Sequence, residues 1–177
     1  MRIIFFDTET TGNTDNDRLC QLGIKERGVV KPILNALYLP PMPIPFESSA
    51  IHHISQKMVL GRPAFKEAPE YGEIKALFES PDTIAVAHNA AFDLGMLARE
   101  DIYPRATICT YKVARTLDPE EALGIYQLQY LRYALDLQVP EGTAAHDAWG
   151  DVVVLEALFE RLFSKELTKM GSERSVL

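Results

Sequence analysis

Arg2-Ile3-Ile4-Phe5-Phe6-Asp7-Thr8-Glu9-Thr10-Thr11-Gly12 opens the chain with an apolar run that ends in acids. Ile3 to Phe6 is apolar at every position, the pattern of a strand buried on both faces of a sheet. Asp7 and Glu9 are two residues apart, and a strand alternates faces, so both carboxylates point the same way. Strand rise puts their Cα atoms about 6.5 Å apart. Two hard cations bridged by such a pair can sit about 3.5–4 Å apart, the spacing of two-metal hydrolases. Gly12 lets backbone approach a ligand closely. The same residues also fit a polar strand end with exposed acids, or a phosphatase with an aspartate nucleophile. The stretch therefore fixes a buried strand without fixing a reaction.

Reading outward, residues 18–26 and 31–39 form two more expected strands, with Arg27-Gly28 at the turn between them. Pro40-Pro41-Met42-Pro43-Ile44-Pro45 cannot be central strand, because proline lacks the ladder donor, and reads as a stiff surface connector. Ile74, Leu77 and Phe78 recur at helical spacing over 69–80. A strand over 83–88, a helix over 89–99 and a short strand over 106–110 follow. Helices are expected over 111–117, 126–137 and 147–163, the last with Val152, Leu155, Phe159 and Leu162 on one stripe. Short connections among the first three strands permit antiparallel pairing, and the later helical connections permit parallel pairing. The expected fold class is α/β, a mixed sheet of about five strands flanked by helices. One domain over 1–165 suffices, with a polar, frayed C-terminal tail at 166–177.

Two further segments carry chemistry. The strand over 83–88 delivers His88 and Asn89 to its carboxyl end, where open α/β sheets bind ligands. Asp93 falls in the first turn of the next helix, where an acid also simply complements the helix dipole. The third segment is His146-Asp147-Ala148-Trp149-Gly150-Asp151. Five residues along a helix turn about 500°, which leaves His146 and Asp151 about 140° apart. To meet at one site, His146 must lie on the loop or where the helix begins. Imidazole suits a general base that takes a proton from water.

Composition narrows the classes. With 177 residues and 47% hydrophobic content, the chain suits one globular domain with a sizeable core. No apolar run approaches the roughly 20 residues that span a bilayer, and the N-terminal run is too short for a signal peptide. Cys20 and Cys109 read as reduced thiols of a cytoplasmic protein. The net charge of -7 opposes tight nonspecific binding to long duplexes. Two divalent cations would bring it to -3 and invert the local field where a phosphate must sit. That charge fits an enzyme gripping a few nucleotides at one chain end.

Taken together, these segments resemble the DnaQ-like, or DEDDh, 3′-to-5′ exonucleases. Phe6 to Gly12 resembles their first motif, His88-Asn89-Ala90-Ala91-Phe92-Asp93 the second, and His146-x-Ala148-x-x-Asp151 the third in its histidine variant. The tyrosine variant would place Tyr where Asp147 stands. Ile51-His52-His53-Ile54-Ser55 resembles the family's Ile-His-Gly-Ile-Thr segment, and the likeness runs from about residue 2 to residue 163. It implies a ribonuclease-H-like fold, with Asp7, Glu9, Asp93 and Asp151 binding two Mg2+ and Mn2+ able to substitute. His146 is implied as the base, and the products as nucleoside monophosphates released from a 3′ end. Thr10 and Thr11 are expected to face the terminal nucleotide, with His88, Asn89 and Phe92 beside it. Ile51 and His52 are expected to pack on or between the last bases.

Three departures stand out. His53 occupies the family's Gly position, so a turn that needs positive φ must differ here. Gly150 lies inside the last helix at a cost of about 1 kcal/mol relative to Ala, and Val152 replaces the usual small residue. These two are expected to shift Asp151, or to loosen the helix so that His146 closes only over substrate. The expected partner is the 3′ end of single-stranded DNA, for a standalone nuclease of the exonuclease X kind or a proofreading subunit with a DNA polymerase partner. A homodimer is compatible with the sequence, and no membrane partner is expected. The alternatives are an RNA-directed relative of the ribonuclease T or oligoribonuclease kind, a catalytically silent nucleic-acid-binding or polymerase-docking module, and the phosphatase.

Overall fold

The first strand, β1 (Arg2–Thr10), lies at the centre of the sheet and sorts the rest of the molecule by its alternation. In this computed structural model residues 1–164 are described, and the expected tail at 166–177 lies outside them. Ile4, Phe5 and Phe6 are fully buried. Phe6 meets Phe78 edge-on at 5.0 Å between ring centroids, in one helical layer. Phe5 meets Phe159 edge-on at 5.3 Å, in the other. By strand alternation Asp7 and Glu9 share the Phe5 side, and Thr8 and Thr10 share the Phe6 side.

β2 (Leu19–Glu26) pairs antiparallel with β1, and β3 (Leu34–Leu37) pairs antiparallel with β2. β4 (Thr83–Ala87) runs parallel to β1 on its other edge, and β5 (Thr107–Cys109) runs parallel to β4. The order is β3-β2-β1-β4-β5, the mixed five-stranded sheet expected. β3 is shorter than the 31–39 predicted; its ladder covers four residues, and Pro32 just before it has no donor to offer. The β1–β2 register slips between Glu9 and Thr10. Such an irregularity re-aims side chains at a strand end.

Seven α-helices and one 3-10 turn (Phe65–Glu67) complete the described residues. α1 (Phe46–His52) and the single turn α2 (Gln56–Val59) follow the proline-rich connector. Neither was predicted, because both are too short for a helical period to register. α3 (Tyr71–Glu79) and α4 (Ala91–Arg99) fall where spacing placed them, as does α5 (Thr110–Leu117). α6 (Leu128–Ala134) is shorter than predicted, because Gln127 remains extended and Leu135 ends the helix. α7 (Ala148–Phe163) packs along β1 and β2.

Two glycines seat the start of α7. A Cβ on Gly23 of β2 would lie 2.6 Å from the Ala148 carbonyl oxygen, so only glycine lets the helix sit this close to the strand. A Cβ on Gly150 would lie 1.9 Å from the Ala144 carbonyl oxygen. The expected loosening at Gly150 is therefore corrected: this glycine admits the preceding loop against the helix. Val152 is likewise no source of looseness, since it is fully buried with Phe5, Val86 and Leu155.

Gly150→Ala is expected to cost about 1–3 kcal/mol through overpacking, more than the roughly 1 kcal/mol that alanine gains as a helix former. Urea unfolding of the two proteins measures the difference. A variant more stable than its parent would mean that the 144 loop does not rest on α7.

Candidate active site

Asp7 and Glu9 emerge on the α7 side of β1, where Asp151 in the first turn of α7 meets them. One carboxylate oxygen from each lies within 4.8 Å of the others. The fourth predicted acid, Asp93, arrives from the other layer on α4. Its Oδ1 accepts the Thr8 backbone N–H at 3.0 Å and the Thr8 hydroxyl at 2.7 Å. Asp93 is buried and lies outside the three-acid group, so the site joins both layers at the end of β1.

His146 stands two residues before α7, as its angular separation from Asp151 required. It is exposed and adopts φ 55°, a left-handed conformation that costs a non-glycine residue roughly 1–2 kcal/mol. Its backbone N–H donates to Asp151 Oδ2 at 3.1 Å. Asp147 caps α7 by accepting the Gly150 N–H at 3.1 Å. The other Asp151 oxygen, Oδ1, accepts from Gln129 Nε2 on α6. Gln21, paired with Glu9 across the ladder, donates to Asp147 Oδ1 at 2.9 Å and accepts the Ala148 N–H at 3.2 Å. Sequence reasoning missed Thr8, Gln21, Gln129 and Asp147 as supports. Only Asp147, an acid just ahead of an apolar helical stripe, carried a readable signal.

Burial and mutual repulsion push all four acids above the ordinary carboxylate range. Asp7 rises well above it, chiefly through burial and then through Asp93, Asp151 and Glu9. Glu9 is pushed up to about 8 by burial, then by Asp151, Asp147 and Asp93. Asp93 reaches about 7 through burial, against the opposing Thr8 hydrogen bonds. Asp151 rises through burial, partly offset by Gln129. Grouped, wholly or partly buried oxygen donors that disfavour their own charge are the donor set a hard divalent cation neutralises.

A cleft of about 620 Å³ adjoins this cluster, lined by Glu9, Thr10, Thr11, Ile51, His52 and Phe92 among others. Ile51 and Phe92 expose 56% and 36% of their surface there. His52 differs from expectation. It is 5% exposed, its Nδ1 accepts the Ile54 N–H at 3.0 Å, and its Nε2 lies 3.1 Å from the Thr10 carbonyl oxygen. The ring braces the cleft wall instead of facing bases. His88 also turns inward, with Nδ1 2.9 Å from Thr110 Oγ1 and Nε2 2.7 Å from the Tyr126 carbonyl oxygen. Neither His88 nor Asn89 lines the cleft. His53 resolves the loop question: it takes φ 61° itself, ending α1 where the resemblance suggested glycine.

This architecture defines an exonuclease fold, and comparison places the chain within it. Residues 4–159 match the exonuclease (RNase_T) family, to which the chain belongs. The DNA polymerase III subunit epsilon-like protein of Rhodobacter capsulatus is 31% identical over 97% of this chain, which spans 26% of that protein. Exodeoxyribonuclease 10 of Escherichia coli is 32% identical over 89% of this chain and 66% of its own length. Among solved structures, exonuclease X in complex with 5′ overhanging duplex DNA aligns with a TM-score of 0.69 at 28% identity, covering 97% of this chain and 93% of that one. Escherichia coli exonuclease I with a dT13 oligonucleotide shares the fold, with a TM-score of 0.74 at 17% identity over 96% of this chain and 42% of that one. The DnaQ-like resemblance and the ribonuclease-H-like fold are thus borne out. Among the described residues no helix is long and apolar enough to cross a membrane.

The repulsion predicts a pH dependence. Folded carboxylates that titrate near 7 to 8 hold protons that unfolded ones have lost above about pH 4. The folded state then binds more protons than the unfolded state, so stability falls as pH rises from about 4 to about 8. In chelator, the unfolding temperature should drop by several degrees across that window, and Mg2+ should restore it. Asp7→Asn should flatten the drop. An unfolding temperature that rises with pH in chelator would contradict the repulsion.

Proposed function

We propose that this chain is a metal-dependent 3′-to-5′ exonuclease that removes nucleoside 5′-monophosphates from the 3′ end of single-stranded DNA. The observation that carries this reading is the convergence of Asp7, Glu9 and Asp151 within 4.8 Å, with Asp93 behind them, at one end of a cleft with an apolar rim. The donor set fits hard cations. Asp7, Glu9, Asp93 and Asp151 would hold two Mg2+, or Mn2+ in their place, which supply Lewis acidity toward the attacking water and the leaving oxygen.

The chain's own groups do the rest. His146, exposed at the site's edge, takes the proton of the attacking water and can pass it to solvent. The new bond joins that water oxygen to phosphorus, and the bond to the 3′ oxygen of the penultimate nucleotide breaks. That oxygen takes up a proton from solvent and becomes the hydroxyl of the new strand end. Ile51 and Phe92 present apolar surface to the terminal bases, a sequence-tolerant contact. Thr10 and Thr11 present backbone to the terminal nucleotide; the Thr10 hydroxyl itself is held by the Gly12 carbonyl at 2.7 Å. The names of the Escherichia coli and exonuclease X relatives favour DNA over RNA. Two epsilon-type relatives make association with a DNA polymerase a coherent setting for the same activity.

The test is product release from matched 5′-labelled single-stranded DNA and RNA, with Mg2+, with Mn2+ and with chelator. A metal-dependent ladder shortening from the 3′ end is expected, faster on DNA. His146→Ala should slow it about 10²–10⁴-fold. A faster RNA ladder would move the assignment to an exoribonuclease. Folded protein with no cleavage of either would favour a binding module, and full activity of His146→Ala would favour the aspartate-nucleophile phosphatase chemistry.

A further inference from the structure

Asp151 is held at both carboxylate oxygens, and the two holds come from different parts of the chain. The His146 N–H reaches Oδ2 from the loop just before α7. Gln129 Nε2 reaches Oδ1 from α6, a separate helix. The last torsion of an aspartate is broad, so one hydrogen bond leaves the carboxylate plane free to swing. Two bonds, one on each oxygen, fix it.

α6 is a firm platform for this. Its Leu131 is fully buried with Val154, Leu158 and Leu162 of α7. Just ahead of it, the Tyr126 carbonyl oxygen is held at 2.7 Å by His88 Nε2. Three residues beyond Gln129, and so on the same face of the helix, Arg132 Nη1 donates to the Thr143 carbonyl oxygen at 3.1 Å. The one helix therefore grips the segment carrying His146 at two points, upstream at Thr143 and downstream at Asp151.

The side-chain chemistry is also specific. An amide donates to a carboxylate without cancelling its charge. Lysine or arginine there would compete with a cation, and an ionised acid has no proton to donate. Glutamine orients the carboxylate while leaving it negative. We propose that Gln129 is a positioning residue, which sets the Asp151 carboxylate for divalent-cation binding; this rests on the metal-dependent reading above. Ligand-orienting groups outside the coordination sphere are worth about tenfold to a hundredfold in metal affinity.

The test compares wild type, Gln129→Met and Asp151→Asn. Methionine keeps length and helix preference but has no donor. Mg2+ and Mn2+ binding is measured by calorimetry, and thermal unfolding is followed in chelator. Gln129→Met should bind the ions about tenfold to a hundredfold more weakly, with an unchanged unfolding temperature and an unchanged KM for oligonucleotide. Should methionine lower the unfolding temperature, Gln129→Ala takes its place in the same titration. Wild-type affinity in the Gln129 variant, with Asp151→Asn weakened, would overturn the positioning role and leave the metal reading standing. Wild-type affinity in Asp151→Asn would overturn both.

Discussion

Repulsion among closely grouped carboxylates is the constraint around which this molecule is arranged. Asp93 and Asp151 are buried and Asp7 and Glu9 are partly buried beside them, and each raises the pKa of its neighbours or is raised by them. Left to themselves they would drive the strand end and the helix start apart. Apolar packing opposes this. Val152, Val154, Leu155, Leu158, Phe159 and Leu162 of α7 are all buried, and each contributes about 1.5–3 kcal/mol when removed from water. That sum, on the order of 10 kcal/mol before chain ordering is charged against it, acts along the whole helix, whereas the repulsion acts on its first turn. The helix stays, and the strain falls on the protonation of the acids.

The location of the cluster follows from the same balance. Three acids come from the α7 face of the sheet and one from the opposite layer, and Thr8 ties that fourth acid to the central strand. The bare backbone of Gly23 on β2, the residue paired with Asp7, lets the sheet and the start of α7 approach at this one end. The acids therefore sit on strand and helix, where positions are fixed. The cleft is lined by Glu9 and Thr10 of β1 and Phe92 of α4, and also by α1 and the turns that flank it; turns are where variation is structurally inexpensive. Under the proposed reading, precision is concentrated on the cation donors, and adaptability on the part of the surface that would meet a nucleotide.

Much of this was legible in the sequence, and the rest fails to show for identifiable reasons. Asp7 and Glu9 could be placed on one face because a strand has period two. His146 could be placed off the helix because a five-residue spacing cannot bring it to Asp151 otherwise. The mixed sense of the sheet followed from which connections contain helices; the strand order did not. By contrast, α1 and α2 are too short to show a period, and the proline run before them masks where a helix starts. Gln21 and Gln129 act through hydrogen bonds to residues 126 and 22 positions away; nothing in their local sequence distinguishes them from surface glutamines. His52 was read as facing substrate through the resemblance, and His88 because its strand delivers it to the ligand-binding end of the sheet. Their ring nitrogens instead meet polar groups of the protein, which only the tertiary structure can reveal. Gly150 was read by helix propensity, a local quantity, while its role is set by a non-local contact with Ala144.

The link between His146 and Asp151 would join the two halves of the proposed chemistry, base and cation ligand. A base and a cation ligand could have been drawn from separate elements and placed independently. Here the backbone of one donates to the side chain of the other across a capped helix start, and the base sits in a left-handed conformation that it would not adopt alone. Holding that conformation costs energy, which the Asp147 cap, the Gln21 bonds and the close seat of Gly150 offset. Any change that relocates Asp151 must move the His146 backbone with it. Under the proposed reading, cation binding and base placement are then one structural event, and supports that touch neither substrate nor ion, such as Gln129 and Arg132, act on both at once.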